Sequence, residues 1–207
     1  MSAEALAKRR RRRTTDIRSS ILEAAAEEFG AWGYAGATTA AIAKRSGVAE
    51  NQIFRHFNSK AELFRKAVFD PLNERFETFN IGQLQTSIIG SEPEITEKYI
   101  LTLSQFIGEQ KREFLALIRS NTEELGEAAG LGKMVALDAY FSISLAMLTT
   151  KRGAAFKMDP KVVNRVSFAA VLACIMFGDW LFPDDMNKED VIPVLSKFIM
   201  YGLNGLS

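Results

Sequence analysis

The sequence predicts an all-α protein, and three observations carry that prediction. Apolar residues recur at helical spacing along most of the 207 residues. Alternating strand patterns are scarce. Gly, Pro and small polar residues punctuate the chain where helices should start and stop. The first helix is read from Ile17, Ile21, Ala25 and Phe29, which stand four apart, with Leu22 and Ala26 widening the stripe over residues 16–29. Thr14 or Thr15 suits its N-cap, and Gly30 suits its stop. A second, short helix covers residues 40–45 with Thr39 as its cap, and Gly47-Val48 then makes a tight turn. A third short helix, about residues 50–57, carries Ile53 and Phe57 inward. Ser59 caps a fourth helix, with Glu62 three places later completing a capping box.

The remainder is helices with visible breaks. Asp70-Pro71 pairs a cap with a proline at a first helical position, so the fourth helix is expected to break or kink there. Gly90-Ser91-Glu92-Pro93 is a turn and restart. Residues 93–125 hold one or two helices, and Gly126, Gly130 and Gly132 mark a loop. Further helices are expected over 133–150, from Asp159-Pro160 to about Leu181, and from residue 187 or 190 to Tyr201.

Charge excludes less than its total suggests. Lys and Arg number 26 against 25 Asp and Glu, a net charge of +1. Residues 1–60 carry 11 basic and 6 acidic side chains, a net of +5, and the rest of the chain carries −4. The neutral total conceals two oppositely charged regions. The single cysteine, Cys174, rules out an intrachain disulfide framework and a Cys-rich zinc site, and reads as a small buried thiol. The basic run Lys8–Arg13 is followed by Thr14-Thr15-Asp16 rather than an apolar core, so it is not a secretory signal. The longest apolar stretch, Val166 to Phe182, holds Ser167 and Asp179 and is shorter than the ~20 residues of a membrane span. A cytoplasmic protein with no membrane association is expected. No Gly-rich phosphate loop, H-E-x-x-H, G-x-S-x-G or Cys–His pairing points to an enzyme, and neither metal nor cofactor is expected.

Two short helices joined by the Gly47 turn, behind a longer first helix, make a helix-turn-helix. In that motif the second helix of the pair enters the DNA major groove while its partner crosses the backbone. Asn51, Gln52 and Arg55 point outward from it and are side chains able to read base edges. His56 and Lys60 stand at its far end, where phosphate contact is the expected use. The N-terminus of the preceding helix, at Thr39, is suited to receive a phosphate.

From Phe29 and Gly33-Tyr34 through Thr38-Thr39-Ala40-Ala41-Ile42-Ala43-Lys44-Arg45-Ser46-Gly47-Val48 to Phe57-Asn58-Ser59-Lys60-Ala61-Glu62-Leu63-Phe64, the chain resembles the DNA-binding domain of TetR-type transcriptional regulators. The resemblance spans about residues 15–66. It implies phosphate contacts from Thr39, Phe54, His56 and Lys60, and base-facing positions at Glu50, Asn51, Gln52 and Arg55. Phe54 stands where the family often has Tyr, and Ala49 where a Ser or Thr N-cap is usual. The absent cap costs the recognition helix roughly 1 kcal/mol, which Glu50 partly offsets through the helix dipole. Ahead of the motif, Arg10, Arg11, Arg12 and Arg13 belong to a basic arm placed to meet a minor groove or phosphates.

The expected organisation is a disordered basic arm over 1–14, the helix-turn-helix domain over 15–62, and a helical bundle over 63–207. The resemblance implies ligand binding and dimerisation for that bundle. Aromatic residues at helical spacing are usually core, but some should line an effector cavity between helices. The candidates are Tyr99, Leu103, Phe106, Phe114, Tyr140, Phe141 and Phe168, and few charges interrupt them, so an apolar or aromatic effector fits. The last two helices are apolar over more than one stripe and are the expected homodimer interface. Two-fold symmetry would then place two recognition helices about 34–36 Å apart on a pseudopalindromic operator. Together these features imply a repressor released from DNA by its effector, the alternative being a nonspecific architectural DNA binder that uses the arm.

Overall fold

The computed structural model describes the backbone of residues 3–85, 92–120, 135–152, 158–186 and 188–204. Side chains are described over 16–84, 94–120, 135–147, 149, 158–186 and 190–200. The expected turn at Gly90-Ser91 and the loop holding Gly126, Gly130 and Gly132 lie outside the described residues. Among those described, every regular element is helical. The chain forms two compact units, one of residues 1–72 and 112–133, the other of residues 73–111 and 134–207.

In the first unit, α1 (Ala3–Gly36) is followed by α2 (Thr39–Ser46), α3 (Glu50–His56) and α4 (Lys60–Phe64). Ile21, Ala25 and Phe29 on α1 are fully buried, as the i, i+4 stripe predicts. Around them Ile42, Ile53, Phe57, Leu63, Phe64 and Val68 close one core. Three rings hold its centre: Phe64 packs edge-on against Phe29 at 4.9 Å and against Tyr34 at 5.5 Å.

Two expectations about α1 are corrected. The helix does not start at Thr14 or Thr15: it begins at Ala3 and takes in the residues expected to be a disordered arm. Residues 3–13 are Ala, Leu, Glu, Lys and Arg, all strong helix formers, with no Gly or Pro to stop them. Nor does α1 stop at Gly30. That glycine lies inside the helix, where a Cβ would come within 2.5 Å of the Arg112 side chain. The helical geometry breaks three residues later, at Gly33 (φ 68°, ψ −178°), a region of backbone space that is essentially glycine-only.

The fourth helix does not break at Asp70-Pro71. Instead α4 opens into a π-helical turn over Arg65–Phe69 and continues as α5 (Asp70–Gln85), with Asp70 itself in right-handed helical geometry. Pro71 has no N–H to give and its ring crowds the carbonyl four residues back. A wider i→i−5 turn just ahead relieves that crowding, and the Asp70 N–H reaches the Arg65 carbonyl. Lys66 Nζ and Asp70 Oδ2, 2.7 Å apart, bridge the turn. The division between the two units falls just beyond it, after Leu72.

The second unit is built from most of α5, with α6 (Glu92–Glu109), α8 (Val135–Arg152), α9 (Pro160–Met176), α10 (Gly178–Leu181) and α11 (Lys188–Asn204). Between α6 and α8 comes α7 (Lys111–Ile118), most of which belongs to the first unit. Asp159 caps α9 through Lys161 N–H at 2.8 Å, with Pro160 at the first position as expected. Cys174 is half-buried, and burial pushes its thiol up from the ordinary range.

Replacing Gly33 with alanine forces a Cβ into a glycine-only conformation, within 2.7 Å of the Arg119 carbonyl oxygen. The expected loss is about 1–3 kcal/mol, read as a lower denaturant midpoint. An unchanged midpoint would contradict the assigned kink.

Candidate nucleic-acid interface

The short helices of the head are set by their ends. Thr38, not Thr39, is the N-cap of α2: its backbone is extended and its side chain accepts from Ala41 N–H at 3.1 Å. Thr39 is one residue inside, and its hydroxyl donates to Glu50 Oε1 on α3. That bond ties the two N-termini of the motif together. Gly47 closes α2 in left-handed geometry (φ 71°) and its N–H returns to the Ala43 and Lys44 carbonyls. That turn sends α3 across α2.

The start of α3 matches the expectation for Ala49: its backbone has N-cap geometry and makes no side-chain capping bond. Glu50 supplies a negative charge in the first turn. Ile53 and Phe57 are each 1% exposed. Their burial fixes the rotation of α3 and turns Glu50, Asn51, Phe54 and Arg55 to solvent, with Gln52 and His56 at the margins. Phe54 is half exposed and takes no part in the core. Thus the outward face gathers Glu50, Asn51, Gln52, Phe54, Arg55 and His56 on one short helix.

Lys60 begins α4 with its ammonium 4.7 Å from the centre of the Tyr34 ring, a placement that holds the cation by its attraction to the π face. Ser59 caps α4 by accepting from Glu62 N–H at 3.1 Å. The Glu62 carboxylate reaches back one residue further than a standard capping box and accepts from both Asn58 nitrogens, each at 2.8 Å. On the other side, Arg45 at the end of α2 bridges Glu27 and the buried Glu28 of α1 at 2.8 Å each. The Glu28 bond, with Glu27 adding to it, holds the Arg45 guanidinium proton more tightly than usual. Arg9–Arg13 lie on the helical backbone of α1. The side chains of Arg10, Arg11, Arg12 and Arg13 fall outside the described set.

One part of the head carries no pattern at the level of sequence. Where Gly33 interrupts α1, the carbonyls of Gly30 and Ala31 accept from Arg119 at 2.6 and 2.7 Å. Tyr34 N–H donates to Ser120 Oγ at 3.1 Å. The two residues that follow α7 therefore satisfy backbone groups that the kink leaves without helical partners.

In the second unit the predicted aromatic residues come together. Tyr140 lies 5.2 Å from Phe168 and 5.3 Å from Phe141, and Phe106 lies 4.7 Å from both Phe76 and Phe79. Tyr99 and Tyr140 share a hydrogen bond between their hydroxyls. Burial pushes Tyr99 up to about 12 and Tyr140 well above the usual phenol range, so both are neutral at physiological pH. Leu103 is buried on α6. Phe114 stands apart from this group: it is buried in the first unit, on α7. Residue spacing alone does not single out Phe76, Phe79 and Asn80, which lie on the same helix run as the head. Among the described residues no helix is long and apolar enough to cross a membrane, and no cluster has metal-ligand character.

An exposed helix-turn-helix on an all-α chain defines a DNA-binding transcriptional regulator. Residues 21–67 match the model for "Bacterial regulatory proteins, tetR family". Over 209 aligned residues the chain is 39% identical to the probable HTH-type transcriptional regulator ArpR of Pseudomonas putida, covering 97% of this chain and 96% of that protein. A shorter match, 30% over 74 residues, joins it to the uncharacterized HTH-type regulator Rv2912c of Mycobacterium tuberculosis, of whose length it spans 38%. In fold it is similar to the TetR family regulator PfmR from Thermus thermophilus (TM-score 0.68, 20% identity, 90% of this chain and 98% of that one). It is also similar to FadR from Bacillus subtilis, solved in complex with stearoyl-CoA (TM-score 0.63, 16% identity, 91% and 99%). The chain belongs to the tetR family of bacterial regulatory proteins.

The uncapped start of α3 offers a direct test of how the helix is held. Ala49→Ser supplies the missing acceptor and should raise stability by about 1 kcal/mol, seen as a higher thermal midpoint. A midpoint that stays or falls would contradict the cap geometry.

Proposed function

We propose that this protein is a repressor that binds a pseudopalindromic operator as a homodimer and is released by a small apolar or aromatic effector. The observation that carries the reading is the outward face of α3, held in place by Ile53 and Phe57. Asn51 and Gln52 are suited to adenine and Arg55 to guanine, while Glu50 can accept from cytosine N4. Phe54, His56 and Lys60 flank these positions and meet the backbone, and the basic segment through Arg13 adds sequence-independent attraction. The helix-turn-helix of residues 15–62 is the DNA-binding part, and the effector and dimerisation part lies within residues 63–207, of which residues 63–72 and 112–133 belong to the first unit.

The dimer reading is supported by apolar side chains left in water. On α9, Val162 and Val166 are 57% and 58% exposed, and on α11, Val194 and Phe198 are 65% and 66% exposed. Trp180 between them in the chain is 85% exposed. An apolar surface on the last two long helices is better covered by a second copy than by solvent. The effector reading draws on the aromatic cluster of the second unit, and on a fold neighbour solved with stearoyl-CoA. Release requires the effector to favour a state that cannot hold DNA. The helical run from Lys60 to Gln85, with its π turn, is the element that carries the change between the two parts.

Fluorescence anisotropy on a selected operator and on a scrambled duplex tests this reading. Arg55→Ala should weaken operator binding by about tenfold or more while leaving the scrambled duplex nearly unaffected. Deleting residues 1–13 should weaken both and lower the slope of log affinity against log salt. Equal losses on both duplexes for Arg55→Ala would favour nonspecific architectural binding instead, and an unchanged slope would remove the arm from the interface.

A further inference from the structure

The buried polar side chains described in the second unit are all neutral: Asn80, Ser104, Gln110, Ser144, Asn164 and Ser196. Most have partners. Asn164 Nδ2 donates to Ser144 Oγ at 2.8 Å, Ser196 donates to the Ile192 carbonyl at 2.8 Å, and Gln110 accepts from Arg75. Asn80 is half satisfied. Its Nδ2 donates to the Ala136 carbonyl at 2.9 Å, while its Oδ1 is buried with no donor. The carbonyl partner fixes the amide's orientation, since Ala136 O can only accept. A buried acceptor without a donor is costly and uncommon in a folded protein. Ser104 Oγ is also buried and unpartnered. By helical spacing, however, it shares the α6 face of Gly108, which lies beside Ile175.

Asn80 shares its helix with two rings of the cluster. It follows Phe79 directly and lies one turn beyond Phe76 on α5, and its partner Ala136 lies one turn before Tyr140 on α8. Both Phe76 and Phe79 are 6.2 Å from the Tyr140 ring. Phe79, Tyr99 and Phe141 are only half-buried. We propose that Asn80 Oδ1 is the polar anchor for a neutral aromatic effector that brings its own O–H or N–H donor. The inference rests on reading the second unit as the effector domain and names the class of molecule that domain takes. The aromatic walls select a flat apolar body. The lone acceptor selects a donor. No cation is buried among the described residues of this unit, and Arg165, over the Phe141 ring at 4.7 Å, is exposed, which disfavours a carboxylate at the buried Asn80.

Calorimetric titration of the full-length protein with three biphenyls tests the assignment: 4-phenylphenol, its methyl ether 4-methoxybiphenyl, and biphenyl-4-carboxylate. The phenol should bind about tenfold or more tighter than the ether, because only it satisfies Asn80, and the carboxylate should bind weakest. In Asn80→Leu the preference of phenol over ether should collapse to about twofold or less, with the ether itself little changed. If the native chain binds phenol and ether equally, the Asn80 assignment is overturned while the effector domain stands. If neither compound binds the native chain, the assignment and the effector reading fall together. The comparison on the native chain decides the matter even where the variant fails to fold.

Discussion

A seven-residue helix has no stability of its own in water, because helix nucleation is unfavourable and so few residues add too few bonds to recover it. The candidate recognition helix of this protein is that short. Everything it does therefore depends on the burial of Ile53 and Phe57, whose side chains seat it on the core of the first unit. At about 1.5–3 kcal/mol for each large apolar side chain removed from water, these two contacts exceed any single hydrogen bond on the helix. They also fix its rotation, and rotation decides which residues face outward. Specificity on one face is thus a consequence of packing on the other.

The core that seats this helix depends in turn on a joint far away in sequence. Gly33 turns the chain so that Tyr34 can stack into the Phe29–Phe64 pair, and the turn strips helical partners from nearby carbonyls and amides. Arg119 and Ser120 replace those partners from 86 to 89 residues along the chain. Gly30 admits Arg112 at the same junction. The two residues that follow α7 are therefore part of the head, although they come after the first long helix of the bundle in sequence.

Much of this is legible from residue spacing. The i, i+4 stripe of α1, the Gly47 turn, the inward Ile53 and Phe57, the missing cap at Ala49 and the Ser59 cap follow from local rules, and local rules suffice for short helices. The failures share a cause in competition between neighbours. Thr38 and Thr39 are equally good caps, and the role falls to the one whose neighbour can reach Glu50. The arginine run reads as a solvated tail by charge, but its helix propensity and its fusion to a stable helix prevail. Asp70-Pro71 reads as a break or a kink, and the helix meets the proline with a π turn without ending. The Arg119 contacts and the placement of Phe114 with the head depend on distant pairing that no window of sequence contains. Asn80 escapes notice because one polar residue on an apolar stripe looks like a tolerated exception, whereas its unpaired oxygen emerges only in three dimensions.

One face of α3, presented twice by a symmetric dimer, is the surface proposed to read DNA. Selection of duplexes by the full-length protein from a random library tests it most directly. An inverted repeat should be enriched, its half-sites centred one helical turn or a multiple of it apart. Recovery of duplexes with no shared sequence, or of a single half-site without a symmetric mate, would contradict it.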